Sequence, residues 1–239
     1  FWADREFRTP YYSYVPEEFS KAGYGRLYFD GQLLSRLQWL EEFEGYVESV
    51  KRRIGYIGQI ISVHIRRGDK YTEAPYIPME IFIDALRQVC RRTGINKVFA
   101  TSDSTDAIQE LVAKLPGMDI IYDDHEPRYD NANHELLMNN PDLATQETMT
   151  AVKILELLAS ADWIVGPENA HLTTLAVARN SARTGTESNC QLIPGVLTFT
   201  NVHPKHIPLV IKERLRQYKR MRHKKWWYRR LVSPVMRRL

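Results

Sequence analysis

Five residues with chemistry to offer crowd into one short stretch: His64, Arg66, Arg67, Asp69 and Lys70, with Glu73 three further on. Two adjacent arginines suit an anion that accepts bidentate hydrogen bonds, a phosphate or pyrophosphate. The residues just before explain how such a group would be placed. Ile61-Ser62-Val63-His64-Ile65 is apolar and β-branched and reads as a buried parallel strand. A buried strand that ends in a burst of charge is where open α/β sheets hold ligands, beyond the carboxyl ends of their strands. The plain alternative is a strand that ends in a solvated loop, and the spacing H-x-R-R-x-D-K argues against it.

The flanking segments alternate. Leu33, Leu37, Leu40, Phe43, Val47 and Val50 recur at three- and four-residue steps and predict one helix over 30–53, stopped at Gly55 after Lys51-Arg52-Arg53. Strands are expected at 59–65, 97–101, 119–122 and 162–166, with a short last one at 195–200. Helices are expected from Pro78 to Arg92, and over 105–115, 145–160 and 170–179. This alternation predicts an α/β fold, a doubly wound Rossmann-like parallel sheet with right-handed crossovers. Between the third strand and the next helix lies a long polar loop, 123–143, of the length that loops with functions have. Its Asp123-Asp124-His125-Glu126 run lacks a spaced ligand set and reads as a solvated loop rather than a metal site.

Composition bounds the rest. The chain has 239 residues, 44% of them hydrophobic, enough for one sizeable core. It starts at Phe1, as expected of a fragment or processed product, and shows no signal peptide and no apolar run of membrane-spanning length. Two cysteines make neither a disulfide framework nor a zinc site, and no N-x-S/T sequon occurs. The net charge of +4 is unevenly spread: from Lys205 onward there are 13 Lys and Arg against one acid, and before it 20 against 28. Three regions are therefore expected: an irregular segment and helix over 1–54, a Rossmann-like domain over 55–204, and a basic aromatic tail over 205–239. The tail, helical from Leu209 and carrying Trp226-Trp227-Tyr228, suits an anionic membrane surface. Nucleic acid is the less favoured partner.

Neither a G-x-G-x-x-G nor a G-x-x-x-x-G-K-[ST] follows the first strand, which removes ordinary dehydrogenases and P-loop enzymes. No D-x-D is present either. A Rossmann-like sheet with arginines in place of a metal clasp points to metal-independent nucleotide-sugar chemistry.

At this point the sequence resembles the α-1,6-fucosyltransferase family, the core-fucosylating and nodulation enzymes, with protein O-fucosyltransferases more weakly related. His64-Ile65-Arg66-Arg67-Gly68-Asp69-Lys70, then Thr72-Glu73-Ala74, is similar to that family's H-V-R-R-T-D-K…T-E-A. Tyr28 to Leu34, Phe99-Ala100-Thr101-Ser102-Asp103 and Leu158-Ala159-Ser160-Ala161-Asp162-Trp163 are similar to three further stretches, so the resemblance runs over about residues 25–180. It implies the GDP-fucose-binding, C-terminal half of a GT-B-like enzyme, with the acceptor-holding part and the later SH3-like domain largely absent.

The resemblance also implies roles. Arg66 would bind the β-phosphate and stabilise the leaving group; Arg67 would support the pyrophosphate or the loop. His64 would contact guanine or ribose. Glu73 would be the general base, with Lys70 and Asp69 placing the acceptor hydroxyl, and Asp103 would face the same crevice. Two positions depart from the family. Ile154 stands where it has a base-reading aspartate, unless the register slips to Glu156. Asn169-Ala170 replace a serine pair at a helix start, with His171, Thr173 and Thr174 just beyond.

The function expected is transfer of fucose from GDP-fucose to a glycan or glycoprotein hydroxyl, inverting, with no metal cofactor. The alternatives are another sugar donor, a protein O-fucosyltransferase, or a degenerate nucleotide-sugar-binding domain without catalysis. The resemblance implies a Golgi lumen for a eukaryotic source and cytoplasm for a bacterial one.

Overall fold

The computed structural model describes residues 15–68, 75–128, 139–195, 197 and 200–231, with side chains as far as Met221. Five strands build the centre: β1 (Ile61–Ile65), β2 (Lys97–Ser102), β3 (Asp119–Ile121), β4 (Trp163–Pro167) and β5 (Cys190–Ile193). Their order is β3-β2-β1-β4-β5 and every pairing is parallel. The fold is the expected α/β, doubly wound, all-parallel sheet. Because helices cover both faces, β1 is buried at all five positions, its polar Ser62 and His64 included.

On one face lie α4 (Met79–Thr93) and α5 (Thr105–Lys114). Phe82, Leu86 and Val89 of α4 and Ile108 and Leu111 of α5 pack against Val63, Ile65, Val98 and Ala100. On the other face lie α3 (Glu41–Ile54), α6 (Pro141–Ser160) and α7 (His171–Thr184). There Phe43, Val47, Leu157, Leu158 and Val177 pack against Phe99 and Ile164. Strand alternation thus sends Val63 and Ile65 to one core, and Ser62, His64 and the Arg66 that follows to the other side.

The single helix expected over 30–53 is two. After a short α1 (Glu17–Lys21), α2 covers Arg26–Leu34, and α3 begins only at Glu41. Leu33, Leu37 and Leu40, assigned to the apolar face, are exposed. Helix α2 instead crosses α7 at Gly31, where a Cβ would stand 1.9 Å from the Ala178 carbonyl oxygen, so only glycine permits the approach. Helix α3 ends as predicted, on Gly55 in the left-handed conformation at φ 70°.

The last described strand is Cys190–Ile193, upstream of the expected 195–200, of which 196, 198 and 199 lie outside the described residues. The described start of the basic segment packs on the domain. After a 3₁₀ turn at Pro204–His206, α8 (Ile207–Leu231) places Val210, 3% exposed, in the α4–α5 core. His206 is buried and its Nε2 lies 2.8 Å from Asp84 Oδ2 on α4. No described helix is long and apolar enough to cross a membrane.

Candidate functional site

The order β3-β2-β1-β4-β5 puts the topological switch between β1 and β4, and the crevice opens beyond their carboxyl ends. Arg66 and Arg67 leave β1 there, Asp103 leaves β2, and Glu168-Asn169-Ala170 leave β4 and lead into α7.

Asp103 ties the first two together. One carboxylate oxygen takes the Arg66 Nη1, and the other accepts the Arg67 backbone N–H at 2.7 Å. Burial lifts the Asp103 carboxyl above its ordinary range, against the opposing pull of Arg66 and the Arg67 N–H. Gly68 makes the arrangement possible. Its φ is 48°, and a Cβ there would lie 2.5 Å from Asp103 Oδ2.

His64, on the same face one residue pair back, is 5% exposed and its Nδ1 lies 2.8 Å from the Thr173 hydroxyl. Burial first, then Arg66 nearby, pushes its pKa down to about 3, so the imidazole is neutral. Thr173 reaches it only because Gly166 stands in β4, where a Cβ would fall 2.7 Å from the Thr173 hydroxyl. Thr101, paired with His64 across β1 and β2, is 2% exposed, and its hydroxyl has no hydrogen-bond partner among the described residues.

The structure therefore brings together His64, Arg66 and Asp103. It places Arg67 elsewhere. Strand alternation turns its guanidinium to the opposite face, 5.2 Å from the Tyr76 ring centre and 5.8 Å from that of Phe82. There it lines a charged cavity of about 650 Å³ together with Glu110, Glu213 and Arg220. Tyr76 also carries the Arg220 guanidinium at 4.7 Å and donates its hydroxyl to the Gly68 carbonyl at 2.5 Å. The Arg67 guanidinium therefore lies on the opposite side of the sheet from the Arg66–Asp103 pair.

Asn169 turns its amide to the Gly195 carbonyl at 3.2 Å, and a Cβ on Gly195 would meet the Asn169 side chain. His171 is exposed at the first position of α7, whose N-cap, Ala170, offers no side-chain acceptor. The first backbone N–H groups of α7 thus face the crevice without a side-chain cap. Asp69, Lys70 and Glu73 lie outside the described residues.

The acidic run after β3 is only half solvated: Asp124 and His125 are exposed. Asp123 and Glu126 are 2% and 7% exposed, and both bind the ammonium of Lys153, itself 1% exposed, at 2.8 and 2.9 Å. Arg53 reaches Asp123 at 2.8 Å and Arg128 donates to the Asp123 carbonyl at 2.7 Å. Among the described residues no group of three His, Cys, Asp or Glu side chains is arranged to hold a metal.

Ile154, which the resemblance aligns with a base-reading aspartate, is 9% exposed within the core. Glu156 does not replace it: its Oε1 accepts from Trp39 Nε1 at 2.8 Å and pairs with Arg179 at 2.6 Å, at the α7 side of α6. One acid that sequence reasoning passed over does approach the crevice. Glu147, on the first turns of α6, is half-buried, and its charged neighbours include Arg66 and Asp103. Nothing in its local sequence marks it; only the length of α6 brings it there.

Fold and site together define a doubly wound α/β domain with an arginine-carboxylate pair at its switch point. Solved structures with a similar chain course include the α-1,6-fucosyltransferase NodZ co-crystallised with GDP, at 15% identity and a TM-score of 0.45, over 68% of this chain and 46% of that one. NodZ from Bradyrhizobium matches at 16% identity and a TM-score of 0.40, over 57% of this chain and 41% of that one. POFUT1 in complex with GDP-fucose matches at 12% identity and a TM-score of 0.47, over 72% of this chain and 50% of that one. This chain spans half or less of the length of each. No family model matches the sequence.

Proposed function

We propose that this chain is the donor-binding half of a glycosyltransferase that transfers fucose from GDP-fucose to a glycan hydroxyl, with inversion and without a metal. The observation that carries the reading is Arg66, presented at the end of β1 by Asp103 beside the uncapped start of α7. A diphosphate lying there would meet a guanidinium on one side and helix N–H groups on the other.

In the reaction, the acceptor oxygen attacks the anomeric carbon as the bond to the β-phosphate oxygen breaks. Negative charge grows on the departing diphosphate, and Arg66 is placed to stabilise it. Neutral His64, held through Nδ1 by Thr173, presents Nε2 toward ribose or base. The resemblance gives Glu73 the acceptor proton.

A second reading, a nucleotide-sugar-binding domain without turnover, is favoured by one observation: Ile154 fills the base-reading position and Glu156 is committed to Trp39 and Arg179. Calorimetric titration with GDP, UDP and ADP, without divalent metal and with Arg66→Ala alongside, tests both. Micromolar GDP binding lost in the variant supports a donor site, and GDP release from GDP-fucose then separates enzyme from binding domain. Absence of binding to any nucleotide overturns both readings.

A further inference from the structure

We propose that Glu147 reads the nucleobase of the donor, in place of the carboxylate missing at Ile154. The inference rests on the donor-site reading above. It starts from the length of α6. Its 20 residues span about 30 Å, whereas a five-residue strand spans about 17 Å. Because α6 connects β3 to the parallel strand β4, it runs antiparallel to the sheet, and its first turns project past the carboxyl ends of the strands. Ile154, Leu157 and Leu158 seat its later turns in the core. Glu147 lies two turns before Ile154 on the same face, about 10 Å nearer the crevice.

Among the described residues, the other carboxylates at the ends of these strands are committed. Asp103 holds Arg66 and the Arg67 N–H. Asp123 and Glu126 share Lys153. Glu156 binds Trp39 and Arg179, and Glu168 accepts the Gly195 N–H at 3.0 Å. Glu147 makes no hydrogen bond or ion pair among the described residues, yet it is half-buried and faces the side of the sheet that carries His64 and Arg66. Burial, Glu126 and Asp103 raise its pKa while Arg66 opposes them. The hydroxyl of Thr101, buried and unpartnered on the same sheet face, is a second polar group there without a protein partner.

A carboxylate with both oxygens available matches one edge among the common bases. Guanine presents N1–H and the N2 amino group side by side, two donors for two acceptors. Inosine lacks the N2 donor. Adenine places an acceptor at N1, which the carboxylate repels. A site built on a buried hydrogen-bonding group rejects a ligand lacking the complement because the group is left unpaired.

The test is calorimetric titration of the full chain with GDP, inosine diphosphate and ADP, for the natural sequence, Glu147→Gln and Arg66→Ala, with thermal unfolding to verify each fold. The natural chain is expected to bind GDP about tenfold or more tighter than inosine diphosphate, the worth of one charged hydrogen bond. Glu147→Gln, which offers one neutral acceptor in place of two charged ones, is expected to abolish that ratio, with a smaller loss for inosine diphosphate, which gives up only the charge on the acceptor of its N1–H. Arg66→Ala should weaken all three alike. Equal binding of GDP and inosine diphosphate by the natural chain, or an unchanged ratio in Glu147→Gln, overturns the role of Glu147 and leaves the donor site standing. Failure of the natural chain to bind any diphosphate overturns the donor site, and this inference with it.

Discussion

Asp103 is bonded to both members of the arginine pair but in different ways: it takes the side chain of Arg66 and the backbone of Arg67. One carboxylate therefore sets the guanidinium that faces the crevice and the chain direction that turns the next guanidinium away. Asp103→Asn keeps an acceptor for the Arg67 N–H and removes the charge partner of Arg66. It is expected to weaken GDP binding about threefold to tenfold with little change in unfolding temperature. Asp103→Ala, which also frees the backbone, is expected to exceed tenfold. Calorimetry on the two variants separates them; equal affinities would show that Asp103 does not position the arginines.

Gly68 is constrained twice over, by φ of 48° and by Asp103 Oδ2 within 2.5 Å of any Cβ. Gly68→Ala should cost about 1–2 kcal/mol in unfolding free energy from the left-handed backbone alone. It should also displace Asp103 and lower GDP affinity. Urea unfolding beside titration checks both. At Gly55, also left-handed but with nothing within 4 Å of its Cβ position, the same change should cost stability without touching affinity.

The sheet was legible from short apolar and β-branched segments bounded by turn residues, although β1 alternates Ile61, Val63 and Ile65 with Ser62 and His64 and is buried on both faces. The start of α3 was not legible. Leu33, Leu37 and Leu40 fit the helical period, but a period does not say whether a face is covered, and these three are exposed. His64, Arg66 and Asp103 could be found because the ends of buried strands in this topology share one crevice. The side to which Arg67 turns follows from strand alternation carried one residue past β1. The Lys153 cluster was hidden. A lysine in an otherwise amphipathic helix reads as solvent-facing, and its partners lie 27 and 30 residues earlier.

Buried His64 makes stability depend on pH. Its folded pKa near 3 lies below the ordinary value of about 6.5, so the unfolded chain binds a proton that the folded chain refuses. This contribution is complete above about pH 6.5 and is lost as pH falls toward 3, at a slope of at most about 1.4 kcal/mol per pH unit. His64→Gln, which does not titrate, should flatten the curve between about pH 6.5 and 5, a span in which histidine is the side chain whose ordinary pKa brings a change of charge. Denaturant unfolding at several pH values measures the difference in slope. Equal slopes would place the proton uptake on other groups.

Lys153 presents the opposite case, a charge kept buried by two partners. Replacing it with Met preserves the apolar stem and removes the ammonium from Asp123 and Glu126. Asp123 retains Arg53 at 2.8 Å, so the unsupported group is Glu126, whose pKa burial already raises while Lys153 pulls it down. Breaking a buried pair from one side costs about 3–5 kcal/mol when the remaining charge stays ionised. Glu126 escapes part of that cost by taking a proton. In Lys153→Met its folded pKa lies further above the unfolded value, so the folded variant holds a proton that the unfolded chain releases, and its stability falls as pH rises. The deficit relative to the natural chain should therefore be small near pH 5 and grow toward pH 8. Adding Glu126→Gln should remove most of the pH dependence and recover much of the loss. Urea midpoints of the natural chain and both variants at the two pH values decide it: a deficit that does not change with pH would mean that Glu126 is already neutral beside Lys153.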